Sequence, residues 1–229
     1  GPRDKLALSA WPIQGFCPAQ LALSPFAGTR TNELHWTAFL QSAPIAQPIV
    51  GVGANIHVVT ADSELTTLGM DGHERWVASL SAPAAAAPTV LRDGGVVVPL
   101  IDGALSFLNR TGQAVWSQPN VCSERPTAVN IDPDGNLLVG CSEGQVKLLA
   151  PNGTLQWSTS AAGGVEHIPT VGNPGVLLVT AGSELLRLGR QDGSTLWSRP
   201  LPANPSGPAL LVRDVAYVAT SDQKLRAFR

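Results

Sequence analysis

A turn followed by a tryptophan recurs about every 40 residues, and this repeat constrains the fold more than any other feature of the chain. Five tryptophans follow one another at steps of 40, 40, 41 and 40 residues: Trp36, Trp76, Trp116, Trp157 and Trp197. Four of them follow a turn that contains glycine, such as Thr111-Gly112 or Asn152-Gly153. A fixed period of this length indicates a repeat architecture in which each unit packs on its neighbours.

Each repeat is predicted to form four short strands. Four complete units align, each beginning with proline, at residues 48–80, 88–120, 126–160 and 169–201. In the second unit the predicted strands are 89–92, 96–100, 104–108 and 113–117. The segments between them carry Gly-Gly, Asp-Gly and Thr-Gly, which suit tight turns because they tolerate positive φ. Four antiparallel strands in about 40 residues are typical of a β-propeller blade.

The two ends of the chain supply the parts of a fifth unit. Residues 208–229 provide the first three strands of a unit. Residues 32–37 resemble a fourth strand, but the first three strands of that unit do not precede it in the chain. We predict that these two segments pair and close a five-bladed, all-β propeller, one domain over residues 31–229. The alternative is a larger ring whose missing strand follows Arg229. Residues 3–30 are predicted to be an irregular lead-in, and Gly1-Pro2 resembles the remnant of a cleaved tag.

The units resemble the PQQ-type repeats of the pyrroloquinoline-quinone-enzyme-like propeller family. The resemblance rests on the second unit, PTV…GGVVV…DGALSFLNRTGQAVW, and its counterparts, and it covers about residues 31–229. Residues 9–36, with Trp11-Pro12, Ser24-Pro25 and Gly28, resemble the lead-in of secreted bacterial propellers of this type. The family includes quinoprotein dehydrogenases, outer-membrane assembly scaffold lipoproteins and sensor domains. The resemblance therefore implies an exported protein, periplasmic, outer-membrane-associated or extracellular, with a signal segment upstream.

No cofactor and no metal ion are expected. As the resemblance implies, quinoprotein enzymes use a larger ring, two adjacent cysteines and a calcium site, whereas Cys17, Cys122 and Cys141 are far apart in this sequence. Residues 131–136, IDPDGN, resemble the start of a calcium loop but lack the glutamate at its twelfth position. The four histidines, His35, His57, His73 and His167, lie in different units without ligand spacing.

A disulfide between Cys122 and Cys141 is predicted from the order of the strands. Cys122 precedes the first strand of its unit and Cys141 ends the second. Because these strands are antiparallel, the start of one lies beside the end of the other. The alternative is two buried free thiols; the bridge is favoured since the lead-in suggests an oxidising compartment. Cys17 would then be unpaired within the chain.

The tryptophans are interpreted as structural. An indole buries a large apolar area and still offers one N–H to a backbone carbonyl. A ligand site needs asymmetry, whereas these five positions are the most symmetric in the chain. We therefore predict that each tryptophan docks its blade onto the next one.

The connections between units and the turns after the second strands should share one face of the propeller. That loop face is where propellers usually bind, because loops vary while blades hold them rigid. The candidate partner-binding residues on it are Asp102, Glu124, Arg125, Glu143, Glu166 and His167. Glu143 and Glu166 could act as an acid–base pair. The first strands, however, carry no acid where a glycosidase would need converging carboxylates.

Composition narrows the functional classes further. Only 14% of residues are charged and the net charge is −2, so no basic stripe for nucleic acid is expected. No run approaches 18 apolar residues, so membrane insertion is not expected. The predicted function is a monomeric, non-catalytic module of an exported bacterial protein that binds or scaffolds another protein of the cell envelope. The alternatives are a small-ligand sensor domain and a small glycosidase or lyase at the channel mouth.

Overall fold

Five antiparallel sheets follow one another along the chain in a computed structural model that describes residues 13–14, 17, 19–20, 32–172 and 177–229. The first contains β1 (Ile49–Val50), β2 (Ile56–Thr60), β3 (Glu64–Leu68) and β4 (Glu74–Ser79). The second contains β5 (Thr89–Val90), β6 (Val96–Pro99), β7 (Leu105–Leu108) and β8 (Ala114–Gln118). The third contains β9 (Asn130–Ile131), β10 (Leu137–Gly140), β11 (Gln145–Leu149) and β12 (Leu155–Ser160).

The last two sheets differ in strand number. The fourth contains β13 (Thr170–Val171), β14 (Leu177–Ala181), β15 (Glu184–Leu188) and β16 (Thr195–Pro200). The fifth has three strands, β17 (Leu210–Val212), β18 (Val215–Thr220) and β19 (Lys224–Phe228). The one helical element described is a 3-10 turn at Val52–Ala54. No helix in the described part of the chain is long and apolar enough to cross a membrane.

Burial changes systematically across each sheet. All four residues of β6 are buried, whereas β8 is exposed except around Trp116. Strands covered on both faces read as continuous apolar runs, which explains the Val-Val-Val of β6. The second strands therefore lie in the interior, and the fourth strands form an exposed outer rim.

The core consists of apolar layers between consecutive sheets. Ile49 and Val59 of the first sheet pack with Val90 and Val96 of the second, and the later sheets repeat this arrangement. Ile13, from the lead-in, is buried in the layer between the second and third sheets. Since a fully buried Leu, Ile or Val stabilises by about 1.5–3 kcal/mol, each unit depends on its neighbours for stability.

Hydrogen bonds join the inner strands of neighbouring sheets. Thr89 Oγ1 donates to Val129 O at 2.7 Å, and Asn130 Nδ2 donates to Pro169 O at 2.7 Å. Thr170 Oγ1 donates to Ala209 O in the same way. These bonds join the second, third, fourth and fifth sheets in sequence order.

Four of the five tryptophans dock onto the next unit as predicted. Each indole N–H donates to a carbonyl in the turn between the third and fourth strands of that unit, as Trp157 does to Arg190 O at 2.9 Å. The same bond joins Trp36 to Met70, Trp76 to Arg110 and Trp116 to Pro151. Each ring also lies against the glycine of that turn: Gly72, Gly112, Gly153 or Gly193.

The predicted ring closure is not formed in the structure. Residues 32–40 carry no strand, and the sheet of β17–β19 has no fourth strand among the described residues. The physical reason lies in the packing: the core layers join consecutive sheets, and among the described residues none joins the fifth sheet to the first. Trp36 still docks its segment, residues 32–40, onto the first sheet, as the tryptophan of a preceding fourth strand would. No described contact ties that segment to β19. The predicted lead-in, residues 3–30, lies mostly outside the described residues.

Candidate functional site

A disulfide fixes the loop that enters the third sheet. Cys122 and Cys141 are bonded, with their Cα atoms 5.5 Å apart. Pro126 forms an isolated antiparallel bridge with Cys141, so the loop lies beside the end of β10, as the order of the strands predicts. Cys17 is a free, buried thiol. The bridge thus holds the residues that follow Cys122 in place.

Glu143 anchors the same loop. Its carboxylate accepts hydrogen bonds from the backbone N–H of Ser123 at 2.7 Å and of Glu124 at 3.3 Å. Burial alone would raise the pKa of Glu143, but these N–H donors hold it below its ordinary value. Ser142 Oγ donates to the Glu124 carboxylate at 3.0 Å. Glu143 and Glu124 are therefore engaged in holding the loop.

Arg125 connects the third unit to the second. Its backbone N–H donates to Ser142 Oγ at 3.1 Å, and its guanidinium donates to Ala85 O through Nε, at 3.2 Å, and through Nη2. A planar guanidinium suits such two-point contact and still has further donors to offer. Arg125 therefore holds two units together at the loop face.

Asp102 lies on the adjoining turn of the second unit. Its carboxylate accepts from the backbone N–H of Ala104 at 3.1 Å, and the next residue, Gly103, accepts from the N–H of Cys122 at 2.9 Å. A side chain at Gly103 would collide with the Cys122 backbone. The turn that carries Asp102 is thus packed against the disulfide loop.

A cavity of about 350 Å³ opens beside this network. Arg125, Glu166 and His167 line it, together with the apolar stretch Ala85–Ala87 of the second unit and Gln14 of the lead-in. His167 Nε2 lies 3.3 Å from Pro205 O, which places it against the fifth unit. The cavity therefore presents polar groups of both charges beside a smaller apolar area.

The structure brings the six candidate residues onto adjoining connections of three units. Arg125, Glu166 and His167 reach the cavity, whereas Asp102, Glu124 and Glu143 surround the disulfide loop next to it. Glu166 is the one carboxylate among the described lining residues, so Glu143 and Glu166 do not converge as an acid–base pair there. The arrangement suits recognition by shape and hydrogen bonding.

Sequence reasoning missed Ser142 as part of this site. Ser142 links Glu124 and Arg125, and it also lines the cavity. Its position directly after Cys141, on a turn assigned to the loop face, was the signal that could have identified it.

Two groups have the composition of cation sites, and both are satisfied internally. Asp132, in the IDPDGN segment, is buried and accepts from the N–H groups of Asp134 and Asn136. The Arg190 guanidinium of the next unit lies 3.8 Å from Asp132 and pairs with Asp134, so it supplies the positive charge that a calcium loop would take from an ion. Cys122 and Cys141 lie within 4.8 Å of the Glu143 carboxylate, but the disulfide occupies both sulfurs.

The successive sheets, the docked tryptophans and the loop face define a protein of the β-propeller class. A sequence profile of the family described as "Outer membrane protein assembly factor BamB" matches residues 27–149 and 110–229. The chain belongs to this family, and the resemblance to PQQ-type propeller repeats is confirmed.

Individual relatives agree with this assignment. Outer membrane protein assembly factor BamB of Burkholderia pseudomallei (strain K96243) is 28% identical over 142 residues, which cover 59% of this chain and 36% of the relative. The crystal structure of BamB from Moraxella catarrhalis aligns with a TM-score of 0.70 and 19% identity, covering 82% of this chain and 62% of that one. The chain thus spans only part of the length of these relatives.

A second solved structure shows the same fold in an enzyme. Quinohemoprotein alcohol dehydrogenase from Comamonas testosteroni aligns with a TM-score of 0.79 and 15% identity, covering 95% of this chain and 47% of that one. At such identities the two structural matches establish the architecture alone.

Proposed function

We propose that this chain is a non-catalytic protein-binding module that acts as a scaffold in the bacterial cell envelope. The observation that carries the proposal is the loop face: six candidate residues on adjoining connections of three rigid units, in a chain of the BamB family. A relative named as an outer membrane protein assembly factor supports a protein of the envelope as the partner.

The chemistry of the loop face suits a polypeptide. Arg125, Glu166 and His167 supply hydrogen-bonding groups of both charges, and the partly exposed Ala86 lies between the buried Ala85 and Ala87 on the cavity wall. The disulfide and the Glu143 hydrogen bonds order the surrounding loop before any partner arrives. A pre-ordered surface binds more tightly because less conformational entropy is lost on association.

Export is part of the proposal. A disulfide between two buried cysteines suits an oxidising compartment such as the periplasm. The relative named as an outer membrane protein assembly factor supports the same location.

A small-ligand sensor is the second candidate. The cavity of about 350 Å³ lies within the size range of small-molecule sites, and Arg125, Glu166 and His167 converge on it.

Site-specific photo-crosslinking tests the proposed function. A photoreactive residue is placed at Glu124 or Glu166 on the loop face, or at Glu74 or Leu196 on exposed outer strands as matched controls. We expect one envelope protein to be captured from the loop-face positions, with capture lost when Arg125 is changed to Glu. Capture only from the outer-strand controls would contradict the choice of the loop face, and a small molecule that blocks capture without any protein adduct would favour the sensor.

A further inference from the structure

The cavity beside Arg125 lies where the connections that enter all five sheets meet. Each of these connections contributes to its wall, through residues 45–47, 85–87, 125–128, 165–168 and 208. The first four contribute equivalent positions, because these residues follow one another at steps of 40 along the chain. The wall therefore repeats from unit to unit, and each departure from the repeat needs an explanation of its own.

Charge interrupts this repeat at two positions. Arg125 stands where the second and fourth units have Ala85 and Val165, and Glu166 stands where the second unit has Ala86. Apolar side chains thus occupy these positions in other units, so the folding of a connection does not require a charge at either one. The cavity has the asymmetry that the tryptophan positions lack, and a site for one asymmetric ligand requires it.

Arg125 has hydrogen-bond donors that the described structure does not use. Its Nε and Nη2 groups donate to Ala85 O, and a guanidinium has about five N–H donors in all. Those that remain lie on Nη1 and Nη2 at the end of the planar group, which is a geometry that binds both oxygens of a carboxylate. Among the described residues no carboxylate forms an ion pair with Arg125. Because Ala85 O already orients the guanidinium, an anion binds it with little further loss of side-chain entropy.

Glu166 supplies the opposite charge on the same wall. Within the described part of the chain its carboxylate accepts no hydrogen bond and pairs with no cation, Arg125 included. It differs in this from Glu124 and Glu143, whose carboxylates hold the disulfide loop. An unpaired carboxylate is the natural partner of an ammonium group, which is a cation with several N–H donors.

The size of the cavity limits the size of a ligand. A volume of about 350 Å³ has room for about twelve water molecules, and so for a ligand of about twelve non-hydrogen atoms. Free amino acids and dipeptides are of this size. Gln14 and Gln47 also line the cavity, and their amide groups can both donate to and accept from a peptide bond.

We propose that this cavity binds a small zwitterion, a free amino acid or a dipeptide, with its carboxylate on Arg125 and its ammonium group on Glu166. Each end of the ligand then forms charge-assisted hydrogen bonds, which are roughly twice as strong as those between neutral groups. The two protein charges are available because they do not neutralise each other. The proposal names the ligand of the sensor candidate and rests on that candidate function; it does not require the envelope partner.

Calorimetric titration with free and blocked ligands tests this proposal. The probes are the standard free L-amino acids and L-alanyl-L-alanine, followed by the N-acetyl and the C-terminal amide forms of the tightest binder. We expect a free form to bind and each blocking group to weaken its binding at least tenfold, because the blocking group removes one of the two charges. Tighter binding of the dipeptide than of any amino acid would assign the site to peptides, and the reverse order would assign it to amino acids.

Two variants identify which end of the ligand each residue holds. Glu166→Gln should no longer distinguish the free form from the N-acetyl form, and Arg125→Gln should no longer distinguish the free form from the amide. Glu74→Gln and Arg75→Gln, on the exposed β4 strand, are the matched controls and should keep both preferences. Arg125 also holds Ala85 O, so thermal unfolding checks that its variant is folded. Glu166→Gln removes no described contact and tests the proposal by itself.

The opposite outcomes overturn the proposal and separate it from the functions on which it bears. It fails if no probe binds, or if Glu166→Gln keeps the full preference for a free ammonium group. Blocked forms that bind as well as the free form would keep the sensor candidate but reject the zwitterion. Photo-crosslinking from Glu124, which lies outside the cavity lining, is scored in the same preparations. Capture of a partner without ligand binding leaves the scaffold function standing and rejects the zwitterion site, and ligand binding without capture does the reverse.

Discussion

The ring of Trp76 lies against Gly112 of the next unit so closely that a Cβ on that glycine would stand 2.6 Å from the ring. Gly112 also has a φ of +83°, a left-handed conformation that side chains disfavour. The indole N–H of Trp76 meanwhile donates to Arg110 O at 3.1 Å. One turn thus provides the carbonyl that accepts the indole N–H, the space that the ring fills, and the glycine whose positive φ forms the turn.

Gly112→Ala should therefore destabilise the protein by about 3 kcal/mol, which combines backbone strain with overpacking against the indole. Gly53→Ala is the matched control, because Gly53 has a φ of +68° but no atom lies within 4 Å of the position that a Cβ would take there. That variant should lose only about 1 kcal/mol from backbone strain. Denaturant unfolding of both measures the difference, and equal losses would show that contact with Trp76 contributes nothing.

The Cys122–Cys141 disulfide should stabilise the chain by about 3 kcal/mol, the value expected for bridging a segment of this length. Intact mass with and without reductant should differ by about 2 Da, the two hydrogens of one bridge. Reduction should lower the melting temperature of the wild type but not of a Cys122→Ala, Cys141→Ala variant. Cys17→Ser is the control for the free thiol and should retain the mass shift; three free thiols in the untreated chain would contradict the bridge.

Stability should depend on pH through His57. This side chain is buried, its Nδ1 lies 2.8 Å from Thr67 Oγ1, and burial lowers its pKa from 6.5 to about 4. Between these values the unfolded chain binds a proton that the folded chain does not, so stability falls as the pH falls from 6.5 towards 4. The full effect is on the order of 3 kcal/mol.

His57→Gln tests this origin, since glutamine keeps a polar group near Thr67 but does not titrate. Urea unfolding at several pH values should show a flatter profile between pH 4 and 6.5 for the variant than for the wild type. Identical slopes in the two proteins would assign the pH dependence to other groups.

We expect the Arg190 guanidinium to supply the positive charge that a calcium ion would otherwise provide beside the IDPDGN segment. Arg190→Gln would leave the buried Asp132 carboxylate without its nearest cation, and we expect a loss of about 3 kcal/mol. Arg75→Gln removes an exposed partner of Asp71 and should leave the free energy of unfolding nearly unchanged, because solvent screens an exposed ion pair. Calcium or a chelator should leave the melting temperature of the wild type unchanged; a rise with calcium would show that the segment binds the ion.

The strand pattern could be predicted from the sequence because turn residues and apolar alternation are local signals. In the second unit the strands form at Thr89–Val90, Val96–Pro99, Leu105–Leu108 and Ala114–Gln118, within two residues of the predicted bounds. The cysteine pairing also followed from strand order. Ring closure was wrong because a repeat identifies the strands of each unit but does not give the angle between successive sheets.

The candidate site was predictable only in part. Turn positions placed Glu124, Arg125 and Glu143 on one face, since connections alternate between the two ends of a blade. The hydrogen bonds from Arg125 to Ala85 and from Ser142 to Glu124 join side chains to neighbouring connections. These contacts do not recur from unit to unit, so the repeat in the sequence could not predict them. The contact between Arg190 and Asp132 could not be predicted from the repeat for the same reason.

The most direct test of the scaffold account is the affinity of the crosslinked partner for two charge-reversed variants. One carries Glu124→Lys, Arg125→Glu and Glu166→Lys on the loop face; the other carries Asp71→Lys, Glu74→Lys and Arg75→Glu at an exposed turn and outer strand. Both make the same change in net charge. Calorimetric titration should show at least tenfold weaker binding for the loop-face variant and wild-type binding for the other. Equal affinities in the two variants would contradict the account.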